Sequence, residues 1–213
     1  MSDIKKGNNI LAVGAHPDDI EYGCGGTIAK HLENGDKVFA LILTRGEQGG
    51  HPYDREECLN SLKALGLNES DISFGNFPDS SLPNDFNVVK FIEDVIIKNN
   101  IQKVYTHYPH DRHQDHRNCS RSVSSAARKV FEVMLFQGPS TSDPFEPHYF
   151  VELSDRHLEK KINSLSRYRS QIKKGIVNLE TVRGFALVNG NKANVRYAEA
   201  FALNHITREG DNV

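Results

Sequence analysis

The strongest signal of fold class is the stretch NILAVGAHPDDIEYGCGGTIAKHLENGDKVFALIL, residues 9–43. Its two ends, 9–14 and 38–43, are short apolar runs of the kind that form strands buried on both faces of a sheet. Between them, residues 27–35 place apolar side chains at helical spacing and end in an Asn-Gly stop signal. A strand, a helix and a strand in this order predict a βαβ unit, and therefore a parallel sheet with a right-handed crossover.

The rest of the chain continues this alternation of helices and strands. Helices are predicted over 54–65, over 84–100, from near residue 115, and over 155–174. Ser154 is the predicted N-cap of the last of these. Strands are predicted over 72–77, 103–107 and 148–153. The segment between the last two strands contains a stretch rich in Pro, Ser and Thr, 138–147, which is predicted to be a loop rather than a domain linker. The pattern as a whole predicts one α/β domain with a mostly parallel sheet.

The composition excludes several classes of protein. The chain has 213 residues, of which 38% are hydrophobic and 25% charged, as is ordinary for a globular domain. The formal net charge is −2 without a basic block, which argues against a nucleic-acid partner. The three cysteines form no CxxC pair and are interpreted as reduced thiols. No signal peptide and no membrane-spanning run of ~20 apolar residues is evident, so we expect a cytoplasmic enzyme or binding protein.

Two clusters of metal-type residues follow predicted strands. The first is the tetrapeptide at 16–19, His-Pro-Asp-Asp, directly after the first strand. The second is HDRHQDH, residues 110–116, after the strand that ends at His107. Open α/β sheets bind their ligands beyond the carboxyl ends of the strands. Two histidines and an aspartate are a common catalytic zinc set, which leaves one position open for water.

Each cluster by itself has an ordinary structural explanation. The first could be a turn with a helix cap, and the second a solvated loop. The presence of both clusters at strand ends of one sheet favours a functional site. Crowded carboxylates and imidazoles cost folding free energy unless a bound ion or a catalysed reaction explains them. The side chains of the neighbours Asp18 and Asp19 diverge, so one can hold a metal while the other takes a proton from water. His113 and His116 can share a helix face, and Asp115 is placed to hydrogen-bond a histidine.

The quoted motifs resemble those of a known family. AHPDDIEYGCGGTIAKH (residues 15–31) resembles the amino-terminal signature of the LmbE-like, or PIG-L-like, N-deacetylases. HQDH (residues 113–116) resembles their second metal motif, usually His-Pro-Asp-His, with Gln114 in place of the proline. Further matches in the same order are LTRGEQGG (43–50), the helix from Arg55 to Leu65 and Gly66, FPDSSL (77–82), YRSQ (168–171) and AEAF (198–201).

The resemblance implies a single domain over residues 1–213, a Rossmann-like three-layer sandwich that holds one divalent metal ion. The ion in this family is usually zinc (Zn²⁺), and Fe²⁺ is the other candidate. The matching motif positions make His16, Asp19 and His116 the metal ligands.

The resemblance also implies roles for five further side chains. Asp18 would be the general base, and His113 the acid and oxyanion partner, tuned by Asp115. The arginine and aspartate that bind the sugar in this family would fall on Arg55 and Asp79.

The expected function is hydrolysis of an acetamide on a small amino-sugar substrate, such as an N-acetylglucosamine-type conjugate or a sugar-nucleotide. An amidase acting on a thiol-sugar conjugate or on another N-acyl small molecule is the alternative among enzymes. A non-catalytic metal- or sugar-binding protein is the alternative from another class. Asp18 argues against it, because metal binding alone does not need a second carboxylate beside the ligand. Homo-oligomer formation is left open.

Overall fold

Buried apolar runs form a seven-stranded sheet in the computed structural model, which describes residues 7–49, 55–142 and 144–207. The strands are β1 Asn9–Gly14, β2 Lys37–Thr44, β3 Ile72–Phe77, β4 Lys103–His107, β5 Glu132–Phe136, β6 Tyr149–Leu153 and β7 Tyr197–Ile206. Their order in the sheet is β3-β2-β1-β4-β5-β7-β6. The first five strands are parallel, and β7 runs antiparallel between β5 and β6. The prediction of a mostly parallel sheet is confirmed.

Helices cover both faces of this sheet. They are α1 Asp19–Glu33, α2 Arg55–Leu65, α3 Phe86–Lys98, α4 Gln114–Ala126, α5 Asp155–Leu165, α6 Arg169–Lys173 and α7 Leu179–Lys192. One apolar core lies between the sheet and α1, α2, α5 and α7, and a second lies between the sheet and α3 and α4. In β1, Ile10 belongs to the first core and Leu11 to the second, as expected of a strand buried on both faces. The result is the predicted three-layer sandwich.

Helix α1 begins earlier than its sequence pattern predicts. It starts at Asp19 and includes the glycine-rich stretch, with a kink at Cys24 (φ −143°, ψ 19°). A Cβ on Gly23 would lie 2.2 Å from the ring of Phe136, so the close approach of helix and sheet requires glycine there. Glycine weakens a helix by about 1 kcal/mol relative to alanine, which is why the pattern placed the helix start near residue 27. Packing against the sheet overrides this preference.

The second half of the chain departs further from the prediction. The helix expected over 155–174 is divided into α5 and α6 at residues 166–168, where the side chain of Tyr168 is buried. Ser154 caps α5 as predicted, since its hydroxyl accepts a hydrogen bond from the His157 N–H. Strands β5 and β7 and helix α7 had no sequence assignment. Helix α7 lacks a clear apolar stripe, because Leu187 and Val188 are exposed.

The parallel strands bring the two motif clusters to one edge of the sheet. Strands β1 and β4 are hydrogen-bonded neighbours, so the segments after Gly14 and His107 emerge side by side. The loops after β2 and β3 emerge at the same edge. None of the helices that the structure describes is long and apolar enough to cross a bilayer.

Candidate metal centre

A strained turn after β1 positions the first motif. Asp18 has φ 90° and ψ −24°, a left-handed conformation that side-chain-bearing residues rarely adopt. Hydrogen bonds hold the turn on both sides. The Thr44 N–H and hydroxyl both donate to the Ala15 carbonyl at 2.8 Å, and the His16 N–H donates to Asp19 Oδ2 at 2.7 Å. Backbone strain that is maintained by surrounding contacts is typical of functional sites.

Ligand-type atoms of His16, Asp19 and His116, the ligand triangle, lie at distances that suit a tetrahedral metal ion. His16 Nδ1 lies 3.2 Å from His116 Nε2 and 3.4 Å from Asp19 Oδ2. His116 Nε2 lies 3.3 Å from Asp19 Oδ1. A tetrahedral ion with bonds of about 2.0–2.1 Å spaces its ligand atoms by roughly 3.3–3.4 Å. The two imidazole nitrogens are therefore spaced to share one divalent cation, and each of them faces one oxygen of the Asp19 carboxylate.

Other ligand-type side chains surround the triangle and share its members. The groups whose ligand atoms lie within 4.8 Å of one another are His16 with His113 and His116, Asp19 with His107 and His116, and His16 with Asp79 and Asp115. Each of these three groups contains His16 or His116, and none of them combines all three members of the triangle.

Two carboxylates orient His16. Its Nε2 lies 3.1 Å from Asp79 Oδ1 and 3.1 Å from Asp115 Oδ2. In the neutral ring that metal binding requires, either carboxylate accepts the Nε2 proton, and Nδ1 then faces the triangle with its lone pair. Asp115 also accepts the Leu82 N–H at 3.0 Å, and Asp79 accepts the Gln48 N–H at 2.7 Å. Such partners fix the tautomer and the ring plane of a metal-binding histidine.

His116 has an equivalent partner in Asp111, at 3.3 Å from Nδ1, which leaves Nε2 for the triangle. Asp111 also accepts hydrogen bonds from the Ser140 hydroxyl at 2.6 Å and the His113 N–H at 2.8 Å. Burial by itself would raise the pKa of Asp111, but these hydrogen bonds and the one with His116 lower it below its usual value. Sequence analysis did not identify Asp111, although its place within HDRHQDH was the available signal.

Asp18 lies in the wall of the cavity beside the triangle. Burial and the charges of Asp19 and Glu21 raise the pKa of Asp18 well above its usual value. Glu21 is itself buried and accepts a hydrogen bond from the Tyr168 hydroxyl at 2.8 Å. Burial and these carboxylates therefore make Asp18 a stronger base, whereas the charges of His16 and His116 oppose this shift of its pKa.

His113 forms the N-cap of α4. Its Nδ1 accepts the Asp115 N–H at 3.2 Å, so in the neutral ring the proton is on Nε2. Burial and the neighbouring His16 and His116 lower the pKa of His113, while the Asp115 charge opposes them. The Asp115 carboxylate hydrogen-bonds His16 rather than the His113 ring. Its influence on His113 therefore comes through its backbone N–H and its charge.

A cavity of about 360 Å³ opens beside the triangle. Its lining contains the triangle, Asp18, His113 and Asp79, together with Arg45, Gln48, Glu57, Tyr168, Ser170, Gln171 and Ile176. Arg55, the other predicted sugar ligand, is exposed at the start of α2, and its guanidinium lies 4.4 Å from the centre of the Phe74 ring. Arg55 is not among the residues that line this cavity, whereas Arg45 is.

Comparison with known proteins identifies the family. The family model described as PIG-L, GlcNAc-PI de-N-acetylase, matches residues 11–127. The chain is 34% identical to the uncharacterized deacetylase YaiS of Escherichia coli (strain K12), over 80% of this chain and 95% of that protein. It is 30% identical to the diacetylchitobiose deacetylase of Thermococcus kodakarensis, over 93% of this chain and 83% of that protein.

A solved structure agrees with these relatives. The conserved protein TT1542 of Thermus thermophilus matches with a TM-score of 0.82 and 30% identity, over 94% of this chain and 96% of that one. The chain therefore belongs to the PIG-L family, as the resemblance of its motifs predicted.

Proposed function

We propose that this member of the PIG-L family is a metal-dependent N-deacetylase. Its substrate would be a small molecule that contains an N-acetylated amino sugar, such as an N-acetylglucosamine-type conjugate or a sugar-nucleotide. The observation that carries the proposal is the ligand triangle at a cavity wall beside the buried carboxylate of Asp18. The names of the curated relatives, which describe deacetylases, support the same reaction.

His16, Asp19 and His116 would hold the metal ion. Two imidazole nitrogens, one carboxylate and near-tetrahedral spacing suit zinc, with Fe²⁺ as the other candidate. A divalent cation bound there lowers the pKa of water and polarises a carbonyl oxygen.

Asp18 would act as the general base. It takes a proton from the water whose oxygen attacks the acetamide carbonyl carbon. The raised pKa of Asp18 then lets it carry that proton to the sugar nitrogen, so the carbon–nitrogen bond breaks to give acetate and a free amine. The strained turn supports this role, because a purely structural residue at that position would be expected to be glycine.

His113 would stabilise the oxyanion with its Nε2–H. The Asp115 N–H occupies Nδ1, so Nε2 is the donor, and His113 lines the cavity next to the triangle. This differs from the expectation that a charged His113 protonates the amine. The lowered pKa of His113 favours a neutral ring, so we assign the proton transfer to Asp18.

Substrate binding is proposed at the cavity wall formed by Asp79. Its carboxylate bridges His16 and the Gln48 N–H, so a sugar hydroxyl that contacts Asp79 would also be aligned with the triangle. Arg45 is the arginine that lines the cavity, whereas the guanidinium of Arg55, the arginine expected to bind the sugar, packs against the Phe74 ring. The strands of the single sheet come from the part of the chain between residues 9 and 206. We therefore propose that the whole chain, 1–213, forms one domain.

The test is a screen of N-acetylated sugars, sugar conjugates and sugar-nucleotides with the zinc-loaded protein, followed by mass spectrometry for the loss of one acetyl group. Asp18→Asn is expected to retain about one metal ion per chain and to lower turnover by ~10²-fold or more. Asp94→Asn, on the exposed face of α3, is the matched control and should turn over normally.

Two outcomes would contradict the proposal. Near-normal turnover in metal-loaded Asp18→Asn would show that another group takes the proton. Metal-loaded protein that binds acetylated sugars but releases no acetate from any of them would favour the non-catalytic binding protein.

A further inference from the structure

His107, the last residue of β4, lies buried directly against the ligand triangle. Its side chain is 1% exposed, and its Nε2 is 3.1 Å from Asp19 Oδ2. Its ring stacks on that of His116, with 4.1 Å between the ring centres and 16° between the planes. On another side it contacts Phe136, at 4.8 Å between ring centres. His107 therefore touches two members of the triangle without lining the cavity.

The surroundings of its two ring nitrogens indicate where the proton is. Within the part of the chain that the structure describes, Nδ1 of His107 is buried and has no hydrogen-bond partner. A proton on Nδ1 would be an unpaired buried N–H, and the Nε2 lone pair would then face the Asp19 carboxylate. A proton on Nε2 instead makes a charge-assisted hydrogen bond to Asp19, which is the stronger arrangement. The Ala15 N–H, 3.2 Å from Nε2, competes for the same nitrogen and is the weaker contact.

This bond determines which oxygen of Asp19 remains available. Asp19 Oδ2 accepts two N–H groups, one from the His16 backbone at 2.7 Å and one from the His107 ring at 3.1 Å. Oδ1 has neither donor and lies 3.3 Å from His116 Nε2. A carboxylate held in this way keeps Oδ1 free of these two donors and directed at His116 Nε2, while Oδ2 stays 3.4 Å from His16 Nδ1.

We propose that His107 is a positioning residue for the divalent cation, which aligns Asp19 through a hydrogen bond and His116 through ring stacking. The inference rests on the proposed metal site and goes beyond it, because His107 is not itself a ligand. Partners that orient metal ligands typically contribute 10–100-fold in metal affinity.

The test measures the Kd of Zn²⁺ by chelator competition on metal-free protein. His107→Phe keeps an aromatic ring of similar size and removes the N–H, and should weaken zinc binding by 10–100-fold. His107→Gln keeps a side-chain N–H donor and should recover part of that loss. His31→Phe is the matched control. Nδ1 of His31 also lies beside a carboxylate, 2.7 Å from Asp36 Oδ2, and His31 does not line the cavity. Its zinc Kd should equal that of the unmodified protein.

Thermal unfolding of the same metal-free variants separates positioning from a general loss of packing. A zinc Kd within about twofold of the unmodified protein in His107→Phe, or no recovery in His107→Gln, would overturn the inference. Complete loss of zinc binding in both His107 variants, equal to that in His116→Ala, would make His107 a ligand and would also overturn it. If His107→Phe does not fold, the zinc Kd of His107→Gln decides: binding weakened by more than about twofold and less than about tenfold supports the inference, and a Kd equal to that of the unmodified protein overturns it. Absence of zinc binding in the unmodified protein would instead contradict the proposed function.

Discussion

Two buried polar clusters contact helix α1, and they are built in opposite ways. In the ion-pair cluster, below the helix kink, Glu199 accepts the Gly26 and Thr27 N–H groups at 3.0 and 2.6 Å. Lys161 Nζ donates to Glu199 at 2.6 Å and to the Tyr22 carbonyl at 2.6 Å. Here the Lys161 ammonium group pairs with the Glu199 carboxylate. The same carboxylate accepts the N–H groups that the kink in the helix leaves without a helical partner.

The ligand triangle, at the start of the same helix, brings together nitrogen and oxygen atoms of the types that bind a cation. His16 Nδ1 and His116 Nε2 lie 3.2 Å apart, and each lies 3.3–3.4 Å from one of the two Asp19 carboxylate oxygens. The neighbouring Asp18 is strained, and an adjacent ring nitrogen of His107 has no described partner. The charged groups of the ion-pair cluster stabilise one another, whereas the ligand atoms of the triangle would be stabilised most by a bound cation. Buried polar groups that satisfy one another stabilise a fold, and groups that do not are candidates for function.

The largest expected effect comes from removing a member of the triangle. His16→Ala and His116→Ala should each bind almost no zinc and show no detectable turnover, because two protein ligands do not replace three. Metal analysis and acetate release measure the two losses. His148→Ala, which removes an exposed histidine outside the triangle, is the control. Full metal occupancy in either triangle variant would remove that histidine from the ligand set.

Breaking the ion-pair cluster should reduce stability and spare the metal site. Lys161→Met leaves the Glu199 carboxylate buried and unpaired, which is expected to lower the free energy of unfolding by about 3–5 kcal/mol. Urea denaturation measures this loss, and the folded fraction should bind zinc normally. Arg196→Met breaks an exposed pair with Asp155 and should cost about 0–1 kcal/mol. Equal losses in the two variants would mean that burial of the Lys161 pair has no special importance.

Glu21, a buried residue in the first turn of α1, should make stability depend on pH. Burial raises the pKa of Glu21 from its ordinary value of 4.5 to about 6. The folded protein therefore binds this proton more tightly than the unfolded chain, so the stabilisation is present below pH 4.5 and is lost as the pH rises through 6.

Removal of that carboxyl group measures the effect. Between pH 4.5 and pH 7, Glu21→Gln should gain about 2 kcal/mol of unfolding free energy relative to the unmodified protein. Urea denaturation at both pH values provides the comparison, with the exposed Glu146→Gln as control. An equal difference at the two pH values would place the pKa of Glu21 near its ordinary value.

The smallest expected effect is a gain in stability. Asp18→Gly removes a side chain from a position with φ 90°, where glycine is unstrained, and should raise the free energy of unfolding by about 1 kcal/mol. Turnover should be lost at the same time, because the proposed base is removed. Asn194→Gly, at φ 56°, is the control, since asparagine tolerates that region and should change little. A less stable Asp18→Gly protein would show that the carboxylate supports the turn.

Sequence patterns predicted the first half of the fold better than the second. Strand β1 is a continuous apolar run and helix α3 has strong apolar periodicity, and both form as predicted. Strand β7 was missed because its last residues are polar, and α7 because its apolar side chains are not confined to one side. Their structure comes from packing against β5 and α5 rather than from a local pattern.

The candidate site divides in the same way. The residue types of the two motifs, and their places after β1 and β4, were evident from the sequence, and the structure brings His16, Asp19 and His116 together. His107 was seen only as a strand end, because nothing in its neighbours shows that a ring there is stacked on His116. Asp115 was expected to tune the imidazole of His113, its near neighbour in the sequence. Its carboxylate instead contacts the ring of His16.

Local patterns in the sequence were sufficient to predict the α/β architecture, the edge of the sheet that carries the site, and the residue types available there. Hydrophobic patterning and the order of strands and helices can be read along the chain, so a linear pattern is sufficient for them. The choice of the free nitrogen on each histidine, and of the carboxylate that holds each ring, is made instead by the folded chain. Those choices depend on contacts between residues about a hundred positions apart, such as His16 and Asp115, and directional hydrogen bonds at 3.1 Å are formed only when the packed sheet brings both ends into register.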